Sequence, residues 1–139
     1  MAPGSCRAQT AHHPHRTYQL VIELRGKVRC RVGKLGVFSF PPGRYIYTGS
    51  AKRHMAARLA RHLSRTHRLH WHIDYLLATP EAKLIQVLTC AQAECSVNRK
   101  TPGSIVVAGF GSSDCRSGCG AHLKFLGRSG KGHSIKLKR

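Results

Sequence analysis

Residues 44–74 read RYIYTGSAKRHMAARLARHLSRTHRLHWHID, and this stretch decides the fold. Arg44 to Thr48 is short, aromatic and β-branched, and Tyr45 and Tyr47, two apart, share one face of a strand. Gly49, Ser50 and Ala51 make a small-residue turn, with Ser50 placed to cap a helix beginning near residue 52. Met55, Leu59 and Leu63 recur every four residues as the buried stripe of that helix, while Arg58, Arg61, His62 and Arg65 fall three and four apart beside it. A strand therefore runs straight into a helix with one core face and one cationic face. A solvated basic surface would account for those cations on an isolated helix. The turn, however, sets Tyr47 at the mouth of the surface the arginines line, and that neighbourhood points to a site.

The chain has 139 residues, which bounds it to one domain, and its 41% hydrophobic content supports a packed core. Twenty-four Lys and Arg against five Asp and Glu give a formal charge of +19, typical of a chain that meets a polyanion. DNA is the expected partner, with RNA left open. A membrane surface is the weaker competitor: there is no long apolar segment, and the one amphipathic helix is needed for the core. Six cysteines without a secretory leader suggest reduced thiols and a cytoplasmic setting. Residues 1–16 read as a disordered leader and 127–139 as a flexible basic tail suited to phosphate contacts. The acids are Glu23, Asp74, Glu81, Glu94 and Asp114, so any carboxylate ligand of a hard cation must come from these.

Thr17 to Leu24 alternates as a half-buried strand and Val28 to Val32 as a second, together a hairpin in which Glu23 faces Arg29 or Arg31. Trp71 through Ala78 reads as a short helix stopped by Pro80. The i, i+2, i+4 spacing of His70, His72 and Asp74 does not bring all three to one helical face, so Asp74 is expected to orient a histidine or receive an arginine. Leu84 to Cys90 is an apolar strand, Ala91 to Asn98 begins another helix, and Ile105 to Ala108 reads as a last core strand. The sum is an α+β domain, a mainly antiparallel sheet flanked by helices. Cys95, Cys115, Cys119 and His122 form an inventory suited to structural zinc. Their C-x3-C-x2-H spacing is not that of a standard finger, and a reduced, unliganded loop is the reading the sequence favours.

Tyr47-Thr48-Gly49 followed by Arg58 resembles the second half of the GIY-YIG nuclease signature. The longer strings PGRYIYTGSA, RLARHL, HWHIDYLL and GFGSSDC with its closing HL are similar to the Uri-type branch of that superfamily. The resemblance covers residues 17–126 and implies a compact GIY-YIG-like domain. It implies a metal-dependent endonuclease that hydrolyses phosphodiester bonds in DNA, in repair or recombination. Tyr18 and Tyr47 would act as base and water-positioning partner in either order, Arg58 as phosphate clamp and His62 as helper. Glu94, following a strand at the start of a helix, would hold one Mg²⁺ or Mn²⁺. Arg53, Arg61, Arg65, Arg68, Lys131 and Lys136 would contact nucleic acid. Two departures stand out. Arg16-Thr17-Tyr18 lacks the motif's first glycine, and Asn98, the one asparagine of the chain, does not stand where the family ends its fold with that residue. Tyrosine, with an unperturbed pKa near 10, can serve as a base only if cations lower it. The competing function is a non-catalytic, zinc-stabilised nucleic-acid-binding protein using the same cationic face.

Overall fold

Thr17–Leu24 forms β1, and its burial along both faces makes it the centre of the sheet. The computed structural model describes residues 15–51, 54–64, 69, 71–112, 115 and 118–128. Expected residues Arg53, Arg65, Arg68, Asp114, Lys131 and Lys136, leader residues 1–14 and tail residues 129–139 lie outside the described residues.

The other elements are β2 (Val28–Val32), β3 (Gly36–Phe40), β4 (Gly43–Ser50), α1 (Met55–Leu63), α2 (His72–Leu77), β5 (Ala82–Cys90), α3 (Glu94–Lys100) and β6 (Leu123–Gly127). The main sheet has the order β5-β1-β4-β6 with every neighbouring pair antiparallel, and β2 and β3 form a separate two-stranded sheet. The α+β architecture expected from the sequence is therefore present. No helix among the described residues is long and apolar enough to cross a membrane.

Side chains alternate across a strand, so the register sorts the two faces. Tyr18, Leu20 and Ile22 stand opposite Gly49, Tyr47 and Tyr45. With Phe40, Ile73, Leu76 and Phe110 they build one continuous apolar core. The reverse face of β1 is buried too, but with polar groups that satisfy one another. Gln19 Nε2 donates to Thr48 Oγ1 (3.2 Å) and Thr101 Oγ1 (2.8 Å), and the Thr101 hydroxyl donates to the Val97 carbonyl (2.7 Å). Lys124 Nζ donates to the carbonyls of Asn98 and Thr101 (2.9 and 3.0 Å). These bonds fix α3 across that face.

Several local expectations are corrected. β1 and β2 are not a hairpin: β1 needs a strand on each side, and β2, buried only at its ends, pairs with β3 instead. Glu23 consequently stands opposite Arg44 and Lys83, not Arg29 or Arg31. Ser50 caps no helix. It ends β4, and α1 starts at Met55 behind His54, which takes the left-handed conformation at φ 58°. Leu63 does not belong to a buried stripe, being 61% exposed, and the buried residue of α1 is His62. Residues 105–108 form no strand. Ser104 alone bridges to Phe125, Val107 reaches the core from a loop, and the sheet edge beside β4 is taken by β6.

Because Ile22 is fully buried at the centre of this sheet, Ile22→Ala is expected to cost about 2–5 kcal/mol through lost burial and the cavity left behind. Chemical denaturation measures it as a lower midpoint with an unchanged slope.

Candidate active site

Tyr18 is 1% exposed and lies directly opposite Gly49 in the β1–β4 register. A Cβ on Gly49 would sit 2.5 Å from both Cζ and Oη of Tyr18, so only glycine leaves room for the ring. Tyr47 stands beside it, ring centroids 6.3 Å apart and planes inclined by 47°. The far wall is Gly111, at φ +73°, whose Cβ would meet Tyr47 Cε1 at 2.8 Å. Gly111 N–H donates to Nδ1 of His72 (2.8 Å), and burial lowers the His72 pKa, keeping the imidazole a neutral acceptor.

Helix α1 brings a histidine and two arginines to the same place. His62 Nε2 lies 2.8 Å from Tyr18 Oη, and Nδ1 of the same ring lies 3.9 Å from Oδ1 of the wholly buried Asp74. Asp74 is held in turn by Arg61, whose two guanidinium nitrogens donate at 3.1 and 3.0 Å, and by the backbone N–H of Trp71 at 2.7 Å. A buried carboxylate in so cationic a chain is thus fully engaged. Arg58 and Arg61, three apart on the helix, each place the guanidinium carbon 4.3 Å from the centroid of Trp71. Arg58 Nη1 also donates to the Ser50 carbonyl (2.9 Å), tying the helix back to the end of β4.

Burial pushes the Tyr18 phenol up to about 12, outweighing the lowering by the Arg58 cation beside it. Burial also pushes Tyr47 well above the ordinary range, with the nearby Tyr18, Glu94 and Asp74 acting in the same direction. Both phenols therefore keep their protons at neutral pH. For the neutral His62 ring, Asp74 favours the proton on Nδ1, and Nε2 is then the acceptor of the Tyr18 O–H.

On the other side, Glu94 opens α3, and its Oε2 accepts from Nδ1 of His122 at 2.7 Å. Behind this pair lie Cys95, Cys115 and Cys119, which with His122 place four donor atoms within 4.8 Å of one another. These four residues could hold a metal ion, and thiolate and imidazole donors suit zinc rather than Mg²⁺.

The sequence reading put Tyr18, Tyr47, Arg58, His62 and Glu94 in one site. The structure sets His62 and Arg58 against Tyr18, Tyr47 beside it, and Glu94 near enough for its charge to act on both phenols. Arg61 grips Asp74 and Trp71, a structural use of a cation expected to meet nucleic acid. Three contributors were missed: Trp71 as the platform for both arginines, Gly111 as the wall against Tyr47, and Asn98. Asn98 Nδ2 donates to the Ala121 carbonyl (2.9 Å), strapping α3 to the residue before His122. A glycine flanked by aromatic and polar turn residues is the only sequence signal that pointed to Gly111.

Among family models, the one described as Domain of unknown function DUF123 matches residues 17–136. No curated protein and no solved structure matches the chain.

Two substitutions test this arrangement. Gly49→Ala forces its Cβ into Tyr18 and is expected to destabilise the fold by about 1–3 kcal/mol, read by chemical denaturation. Asp74→Ala strands the Arg61 cation and the Trp71 N–H, with an expected loss of about 3–5 kcal/mol in the same measurement.

Proposed function

The chain belongs to the DUF123 family, and we propose that within it this protein is a divalent-metal-dependent endonuclease that hydrolyses phosphodiester bonds in DNA. The observation that carries the reading is the hydrogen bond between Tyr18 Oη and His62 Nε2, with the Asp74 carboxylate 3.9 Å beyond the other nitrogen of that ring and Arg58 alongside. A buried tyrosine needs only a hydrogen bond. One that shares its hydroxyl with an imidazole backed by a carboxylate, next to a cation, has a proton path. The likeness of Tyr47-Thr48-Gly49 and Arg58 to the GIY-YIG signature supports the same reading.

Hydrolysis requires a base for water, charge at the non-bridging oxygens, and a stabilised leaving alkoxide. With its pKa pushed up, Tyr18 is a poor source of free phenolate. It serves better as a relay: its oxygen takes the proton of the attacking water while its own proton passes to His62 Nε2. The resulting imidazolium faces Asp74. The water oxygen forms the new P–O bond as the bond to the leaving alkoxide breaks. Arg58 holds the phosphate, and Tyr47, a protonated phenol, donates to the water or a phosphate oxygen.

Glu94 is a carboxylate whose side chain is 27% exposed, and it would hold one hard divalent ion, Mg²⁺ or Mn²⁺, which would supply neutralisation of charge on the leaving oxygen. DNA as partner is supported by the charge of +19, with Arg53, Arg65, Arg68, Lys131 and Lys136 proposed as phosphate contacts.

Supercoiled plasmid incubated with Mg²⁺ or Mn²⁺ is expected to be nicked. Tyr18→Phe and Glu94→Ala should slow cleavage about 10²–10⁴-fold while leaving DNA affinity within a few fold of wild type. Protein that binds DNA in a steeply salt-dependent way yet never cuts it with either ion would instead be a non-catalytic binder.

A further inference from the structure

We propose that Cys95, Cys115, Cys119 and His122 form a closed, structural zinc site, and that Glu94 is the outer partner that orients its imidazole. The inference does not depend on the nuclease reading. It starts from His122, which is 1% exposed. Nδ1 of this ring is bonded to Glu94 at 2.7 Å, while Nε2 is buried and makes no regular hydrogen bond, the Cys115 thiol being the other group that acts on the ring. A buried ring nitrogen with no better partner than a thiol is costly unless something else binds it. The carboxylate holds the proton on Nδ1, which leaves a lone pair on Nε2, the arrangement by which a carboxylate orients a metal-binding histidine.

The distances suit the metal. Zinc–sulfur bonds of about 2.3 Å at tetrahedral angles separate two ligand sulfurs by about 3.8 Å. Cys95 Sγ and Cys115 Sγ are 3.5 Å apart, too far for a disulfide near 2 Å. The remaining donor atoms fall within 4.8 Å, so modest side-chain rotations close a tetrahedron. All four positions are filled by protein, which leaves no open coordination site for water or substrate and makes the role structural.

The ligands also explain what the metal does. Cys95 sits on α3, and the other three come from the glycine-rich segment that ends β-sheet-ward at β6. That segment carries Gly111 against Tyr47, and the His122 carbonyl accepts the N–H of Thr48 in β4 at 2.9 Å. Zinc would staple this irregular segment to α3 and so hold the wall of the tyrosine cleft. The same ion, acting through His122, fixes the rotamer of Glu94.

Full-length protein purified without added metal is to be analysed by inductively coupled plasma mass spectrometry. One zinc per chain is expected, and Co²⁺ exchanged into the site should show the intense thiolate charge-transfer and visible bands of a tetrahedral centre. Cys115→Ser and Cys119→Ser should each lose the metal. Glu94→Gln should retain it with affinity weakened about 10–100-fold. Since a cysteine variant can simply misfold, wild-type protein treated with a chelator provides a second reading: its thermal midpoint should fall as zinc appears in solution and recover on zinc addition. The proposal is overturned by metal-free folded protein with all cysteines titratable, by a Cys95–Cys115 disulfide in the native mass, or by iron in place of zinc.

Discussion

The approach of Tyr18 to Gly49 is the constraint on which the rest of this structure turns. The ring fills the space a side chain on β4 would need, so its hydroxyl is carried to the end of the two central strands and buried there. A buried phenol must find a polar partner, and the partner is His62. This explains an oddity of α1. Its apolar side chains are poorly buried, Leu63 is mostly exposed, and its one buried residue is a histidine. The helix is positioned as much by its hydrogen bond to Tyr18 and by the arginine contacts as by an apolar stripe.

Asp74 completes that anchoring. It accepts from two nitrogens of Arg61 and from the N–H that opens α2, so a single carboxylate joins α1 to α2. In a chain with five acids, placing one where it is 0% exposed is a strong commitment. It is tolerable because each oxygen is bonded and the neighbouring cation is stacked on Trp71.

What was legible in the sequence, and what was not, follows from range. Tyr-x-Gly and an arginine on the helix that follows are local, and they pointed to the candidate site, where glycine answers a steric demand and Arg58 lies beside Tyr18. The α+β class was readable from element types. The role of β1 was not: Gln19 looks solvent-facing in a period-two pattern, and only the distant Thr48 and Thr101 show how it is satisfied in the interior. Val106 and Val107 looked like a strand because apolar β-branched residues do, yet Gly109 and Gly111 at positive φ take the backbone away from pairing. The cysteines were visible as an inventory, but their meeting point depends on α3 packing against the segment before β6, a contact of long sequence separation. Asn98 was set aside for standing at the wrong place in the chain, whereas its bond to Ala121 makes it part of that same meeting point.

The same electrostatics separate two tyrosines that the motif leaves equivalent. After burial, the strongest influence on Tyr18 is the Arg58 cation, which lowers its pKa, and Glu94 and Asp74 count for less. For Tyr47 the order is reversed: the phenol of Tyr18, then Glu94 and Asp74, raise it, and Arg58 comes last. The Arg58 cation therefore weighs more on Tyr18 than on Tyr47, while Glu94 and Asp74 act on both. Partial negative charge developing on an oxygen is tolerated at Tyr18 and resisted at Tyr47. In the proposed hydrolysis this assigns the proton relay to Tyr18, which also has His62 to receive the proton, and leaves Tyr47 as a hydrogen-bond donor. A divalent ion on Glu94 would cancel a charge that raises both phenols, and the Arg58 cation would still favour Tyr18.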